Sequence, residues 1–353
     1  MSIIEVTMKD AKEFVLDYLQ AGLVPNLVSS PGVGKSALAK EIARENNLKL
    51  LDVRLSQADP TDLNGFPFIL DKDAERPKAG YVPMDIFPVE GDPIPEGYSG
   101  WLLLLDELPS APRNVQAAAY KLILDRMVGM HNLHPACACI AAGNKITDHA
   151  IVNELSTALQ SRLVHLVIKV CQKAWDEWSI PAKIDHRIRS FLNFEEKMLH
   201  QFNPTHNDLT YPCPRTWEFL SQILTNWKKR GIEDIPRRKL PVLAGTIGEG
   251  AARKFMTFVK VYDKLPSLED ILADPDRVPF GDDPSMQYAL TGMLAEKFTK
   301  ENSDLLVRFL QRLEIDFQLI TLRAAIKFNP AIMTSKGIED WFKLNNKEMQ
   351  PVL

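Results

Sequence analysis

The chain has few cysteines, four in 353 residues. At this length they build no disulfide framework, and Cys137-x-Cys139 lies in an apolar run that suits neither a zinc knuckle nor a redox pair. They read as free buried thiols in a reducing compartment, so a cytoplasmic protein is expected. No run approaches the roughly eighteen uninterrupted apolar residues of a membrane span. The opening "MSIIEVTMKDAKEF" carries charge and no apolar core, so it does not read as a signal peptide. Neither sign of charge dominates. A net charge of −4 argues against a broad nonspecific nucleic-acid surface. The basic stretch "NWKKRGIEDIPRRK" (226–239) reads as a helix end and a solvated connection. Internal repeats and low-complexity segments are lacking as well.

The chain is long enough for two domains and permits three. With 45% hydrophobic and 25% charged residues, it can bury a sizeable core. Residues 8–21 have apolar positions at helical spacing, and "VPNLVSS" then reads as a short buried strand. A glycine turn leads into the amphipathic "KSALAKEIARENN", and "LKLLDVRLS" is a second strand. Residues 57–100, rich in Pro, Gly and Asp, read as a long excursion with weak regular structure. "GWLLLLDELPSAP" predicts a central parallel strand covered on both faces, and "RNVQAAAYKLILDR" a helix. "ACACIAAGN" is a further buried strand, and "NELSTALQSRLVHLVIKV" a short helix and another strand. Strands and helices thus alternate to about residue 170, as in a three-layer α/β domain with a parallel sheet. Beyond it the texture is helical and no convincing strand is visible. The expected organisation is an α/β core over 1–170, a small helical domain over 171–240 and a helical extension of unassigned role over 241–353.

Between the first strand and its helix stands "SSPGVGKSALAKEIA". It matches the phosphate-loop pattern G-x-x-x-x-G-K-[ST], except that Ser29 occupies the first glycine position. The residues from Ser30 through Pro31, Gly32, Val33, Gly34, Lys35 and Ser36 to Ala37 would cradle phosphate through backbone N–H groups and a helix N-terminus. Lys35 would extend to the β- and γ-phosphates, and Ser36 would hold Mg²⁺. Ser29 can adopt the turn if its φ is negative. In "LLLLDE", Asp106 ends a central strand, where it can bind or orient Mg²⁺; Glu107 can take a proton from the attacking water. Asn144, at the end of "ACACIAAGN", can orient that water without adding charge. Arg162 opens a strand and can point to a neighbouring subunit's nucleotide. Arg215 starts a helix set by Pro214 and can reach a γ-phosphate from the helical region.

These residues, in this order, resemble the AAA+ ATPases, and within them the MoxR branch, over roughly residues 8–235. "SSPGVGKSALAKEIA" resembles Walker A, and "WLLLLDELPSAPRNVQAAAYKLILDRMVG" resembles Walker B and its helix. "AAGNKITDHAIVNELSTALQSR" looks like sensor 1, a connecting helix and the arginine finger, and "CPRTWEFL" like the sensor 2 helix. The resemblance implies an AAA+ αβα core with a helical lid, and catalytic roles for Glu107, Asn144 (sensor 1), Arg162 (finger in trans) and Arg215 (sensor 2 in cis). ATP and Mg²⁺ would be bound, the metal by Ser36 and Asp106. The finger segment reads "LQSR" where many MoxR-like proteins end in D-R-F, and Arg113 and Arg126 are its alternatives. A homo-hexameric ring, remodelling of a partner, and a von Willebrand factor A domain protein as that partner are further implications. A DNA-directed motor or loader, a non-hydrolysing nucleotide-binding scaffold, and a monomeric enzyme with a cis arginine are the competing readings. The loop over 120–134, with His131 and His134, can form a hairpin of the kind that faces the pore in this clade.

Overall fold

The computed structural model describes residues 4–345 apart from 71, 74, 149–152, 206–207 and 233–234. Part of the expected connection between Asn144 and Arg162 therefore lies outside the described residues. The chain divides into two compact units, Met1–Cys171 with Phe202–His206, and Gln172–Gln201 with Asn207–Leu353.

In the first unit the elements run β1 (Glu5–Val6), α1 (Met8–Gln20), β2 (Val24–Ser29), α2 (Lys35–Glu45), β3 (Leu48–Arg54), α3 (Pro60–Asn64), β4 (Phe66–Leu70), β5 (Lys78–Val82), β6 (Gly100–Asp106), α4 (Arg113–Leu124), β7 (Met127–Val128), β8 (His131–Asn132), β9 (Cys137–Asn144), α5 (Thr157–Gln160) and β10 (Leu163–Ile168). Six strands form one sheet, all pairs parallel, in the order β1-β10-β2-β9-β6-β3. β6 explains the layering. Successive side chains of a strand point to opposite faces. Trp101, Leu103 and Leu105 join the core under α3, α4 and α5. Leu102 and Leu104 join the core under α1 and α2. An unbroken apolar run is therefore what a strand between two helical layers needs.

The excursion over 57–100 is more regular than its sequence suggests. It holds α3 and the antiparallel hairpin β4–β5, in register from Phe66↔Val82 to Leu70↔Lys78. All five β4 residues are exposed. In β5 only Gly80 is buried, so the ribbon has no apolar face set against a polar one and carries no alternation to read. The 120–134 loop does contain a hairpin, β7–β8, and His131 Nε2 lies 3.0 Å from Tyr81 O of β5.

The second unit contains α6 (Gln172–Ser179), α7 (His186–Phe194), α8 (Pro214–Lys229), α9 (Leu240–Ile247), α10 (Glu249–Val259), α11 (Leu268–Ala273), α12 (Pro284–Ala295), α13 (Ser303–Leu310), α14 (Ile315–Phe328) and α15 (Lys336–Leu344), and no strand among its described residues. Phe191 of α7, Trp217 of α8 and Phe255 of α10 meet with ring centroids 5.5–5.9 Å apart, so helices on both sides of residue 240 share a core. A second core gathers Leu290, Phe309 and Trp341 from α12, α13 and α15. The four cysteines are free, with Cys137, Cys139 and Cys213 buried.

A polar knot sits at the start of α7. Asp185 caps the helix and pairs with Arg187 at 2.8 Å, while His186 packs against Tyr262, whose Oη donates to Ser190 Oγ at 3.0 Å. Burial pushes the His186 imidazole down to about 4, against the weaker upward pull of Asp185. Burial works against ionised Asp185, yet Arg187 holds its carboxyl below the usual range. Both groups lose stability toward acid. His186 is neutral in the fold, whereas the unfolded chain protonates near 6.5. Its contribution is therefore intact above that pH and falls away toward pH 4, by up to about 3 kcal/mol. Calorimetric unfolding is expected to shift downward between pH 7 and pH 5, and His186→Gln to flatten that shift. An equally steep shift in the variant would assign the acid sensitivity elsewhere.

Candidate nucleotide site

The site forms where β2, β9 and β6 end. Parallel pairing brings those ends to one edge of the sheet, with Ser29 beside Asn144 and Leu105 beside Ala141. The loop leaves β2 at Ser29 and turns through Gly32 and Gly34, whose φ values of 76° and 113° lie where other residues are strained. Gly34 starts α2 and offers no capping side chain, so the first N–H groups of this helix are left to an anion.

Lys35 is 8% exposed. Its Nζ donates to Ser29 O at 3.2 Å, to Ser29 Oγ at 3.0 Å and to Asn144 Oδ1 at 3.0 Å. The loop lysine and the Asn144 amide are thus one assembly. Ser29, at the position of the missing glycine, is not among the positive-φ residues. Its hydroxyl contributes to holding the ammonium, a contact that glycine would lack. Ser36 Oγ donates to Asp106 Oδ2 at 2.7 Å. A hydroxyl beside a carboxylate is a hard oxygen pair that suits Mg²⁺, which favours a few protein oxygens completed by water and phosphate. Glu107 holds the left-handed conformation with φ 59°, and its N–H donates to Asp106 Oδ1 at 2.9 Å. Such a backbone costs on the order of 1–3 kcal/mol, and the two carboxylates accept from different hydroxyls, Asp106 from Ser36 and Glu107 from Ser56.

Four contributors escaped the sequence reading. Ser56 Oγ donates to the Glu107 carboxylate. The pairing of Arg54 with Asp106 makes them neighbours, which requires knowing that β3 lies beside β6. Gly143 has no room for a side chain, because a Cβ there would lie 2.2 Å from the Pro109 ring; the strand before Asn144 is thereby fitted to the turn after Glu107. Asp148 is buried, with Oδ1 3.4 Å from the Ser30 hydroxyl. A lone aspartate in "KITDH" carries no signal of that.

Arg162 is not gathered here. Arg162 precedes β10, whose first residue, Leu163, pairs with Val24 at the start of β2. It therefore lies at the opposite sheet edge from the loop, about 20 Å away at ~3.3 Å per residue. It is exposed, donates to Ala158 O at 2.9 Å and lies over the Tyr120 ring at 4.8 Å. Arg126 donates to the Cys137 carbonyl and to Cys139 Sγ. Arg113 is exposed in the first turn of α4. Arg215, in the first turn of α8 in the helical unit, is also exposed. Two clefts of about 520 and 540 Å³ lie beside β3, and no residue from Ser29 to Ala37 lines either.

No family model and no curated protein matches the chain. Among solved structures, it is similar to the Thermotoga maritima RuvB Holliday junction branch migration motor, with 17% identity, 81% of this chain and 80% of that one covered, and a TM-score of 0.33. It is also similar to Brucella abortus NtrX in complex with ATP, with 12% identity, 98% and 69% covered, and a TM-score of 0.37. Scores this low carry no weight for fold or function. The parallel sheet between two helical layers and the assembly of Lys35, Asn144, Ser36 and Asp106 stand on the chain's own strand pairing and hydrogen bonds.

Proposed function

We propose that the chain is a Mg²⁺-dependent ATPase of the AAA+ class, in its MoxR-like branch, that works as a homo-hexameric ring. The observation that carries this is the meeting of Lys35, Asn144, Ser36 and Asp106 at one sheet edge, joined by hydrogen bonds of 2.7–3.0 Å. Each has a part in phosphoryl transfer. The loop N–H groups and Lys35 hold the β- and γ-phosphates. Ser36 and Asp106 would hold Mg²⁺, which would supply charge neutralisation on the transferred group. Glu107 accepts the proton of the attacking water, and Asn144 orients that water. Arg162 lies too far from its own loop to reach it, which favours a neighbour's site over a cis role. Arg215 acts from the helical region as the cis sensor, and the lid over 171–240 and extension over 241–353 are kept as functional divisions.

Hydrolysis drives remodelling of a partner protein or a cofactor-containing complex, and a von Willebrand factor A domain protein is the proposed partner. The feature that favours protein work over DNA work is the β4–β5 hairpin, which exposes Phe66, Phe68, Ile69, Leu70, Tyr81 and Val82. Apolar patches of this kind mark protein contacts, and this hairpin bears little of the positive charge a strand-tracking loop needs.

The site is tested by equilibrium binding of ATP with Mg²⁺. Lys35→Ala is expected to weaken binding by ~10-fold or more, since it removes a buried charge-assisted contact worth at least about 1.5 kcal/mol. Unchanged affinity in a folded variant would refute the loop as the phosphate site.

A further inference from the structure

We propose that the basic end of α8 and the segment entering α9 bind the phosphate backbone of nucleic acid. Six cations fall there, between residues 228 and 239. Lys228, Lys229 and Arg230 close α8, and Arg237, Arg238 and Lys239 lead into α9. Lys239 Nζ lies 5.0 Å from the centre of the Trp227 ring, which fastens the second trio beside the first. All are exposed except Lys239, which is half-buried. None of the six is in an ion pair among the described residues. Even with Glu233 and Asp234 counted, residues 226–239 carry a net charge of +4 in a chain whose total is −4.

Fold stability accounts for half of this patch. Cations at the end of α8 complement the negative end of its dipole. Arg237, Arg238 and Lys239 have the opposite placement, because they stand directly before the N-terminus of α9, whose positive end repels them. Six like charges drawn together also repel one another. An external polyanion relieves both costs.

The surroundings favour nucleic acid over a lipid surface or an acidic protein. Gln222, Asn226 and Lys229 succeed one another at helical spacing on an exposed face of α8, with Phe219 one turn earlier. Amide side chains and an aromatic ring suit sugars, base edges and base faces. A lipid surface would require apolar residues among the cations, where the amides stand. This surface lies outside the nucleotide site and does not depend on hydrolysis.

The test is fluorescence anisotropy of the full chain with labelled 20-nucleotide single-stranded and duplex DNA over a salt series, without ATP. Six phosphate contacts give a log–log salt slope of about −4 on single strands and −5 on duplex. The combined variant Lys229→Gln, Arg230→Gln, Arg237→Gln, Arg238→Gln is expected to bind at least about tenfold more weakly at 0.1 M salt, with the slope reduced by about 3. Its unfolding midpoint and ATP binding are expected to match the parent, which separates loss of the surface from loss of the fold. No binding to either DNA at about 50 mM salt, or an unchanged slope in the folded variant, overturns the proposal. Binding to phosphatidylserine vesicles or polyglutamate in place of DNA overturns it too.

Discussion

Glu107→Gln is expected to bind ATP as tightly as the parent and to lose about 10²–10⁴-fold in turnover, the range for removal of a general base. The amide keeps the size and shape of the carboxylate but cannot accept the proton of the attacking water. Phosphate binding rests on other groups. Lys35 is held by Ser29 and Asn144, and Ser36 by Asp106, so the substitution leaves that scaffold in place. It also weakens the acceptor of the Ser56 hydroxyl and leaves the left-handed turn at Glu107 with less to hold it. For that reason the turnover assay is paired with ATP affinity and an unfolding curve. Full turnover in folded, assembled protein would remove Glu107 from the chemistry and favour a nucleotide-binding scaffold.

Arg162→Ala carries the other large effect. An arginine supplied to a phosphoryl-transfer site is worth about 10³–10⁵ in kcat, and the substitution is expected to cost that much with ATP affinity retained. Its cause would lie in the neighbouring subunit, because the start of β10 and the end of β2 are at opposite sheet edges. Mixing separates the cases. Arg162→Ala and Lys35→Ala subunits are each expected to be nearly inactive alone. Co-assembled, some interfaces pair an intact loop with an intact arginine, and ATPase activity partly returns. Full activity of Arg162→Ala alone would exclude it, and Arg113 becomes the residue to test, since Arg126 is already engaged with Cys137 and Cys139.

The candidate phosphate loop was legible because its pattern is local. Gly32, Gly34, Lys35 and Ser36 act within one turn, and their order in the chain is their order in space. Asp106 and Asn144 were legible because a buried strand announces itself as an apolar run, and the residue that ends it falls at the sheet edge. The β4–β5 hairpin was not, because a ribbon without a core face has no alternation to display. The partnership of Ser56 with Glu107 was equally hidden. Those residues are 51 positions apart, and only the adjacency of β3 and β6 joins them.

Amino-acid order alone determined the alternation of strands and helices to about residue 170, the helical remainder, and the residues proposed to hold phosphate and metal. These follow from periodicity, glycine conformation and side-chain chemistry, which act over a few neighbours. Strand order was decided only by the tertiary structure. The tertiary structure set Asn144 against Lys35, moved Arg162 to the far end of the sheet, committed Arg126 to the cysteines, and laid Lys239 over the Trp227 ring. Parallel pairing and packing join residues that the sequence separates by tens to more than a hundred positions, and no local pattern records which of them will meet.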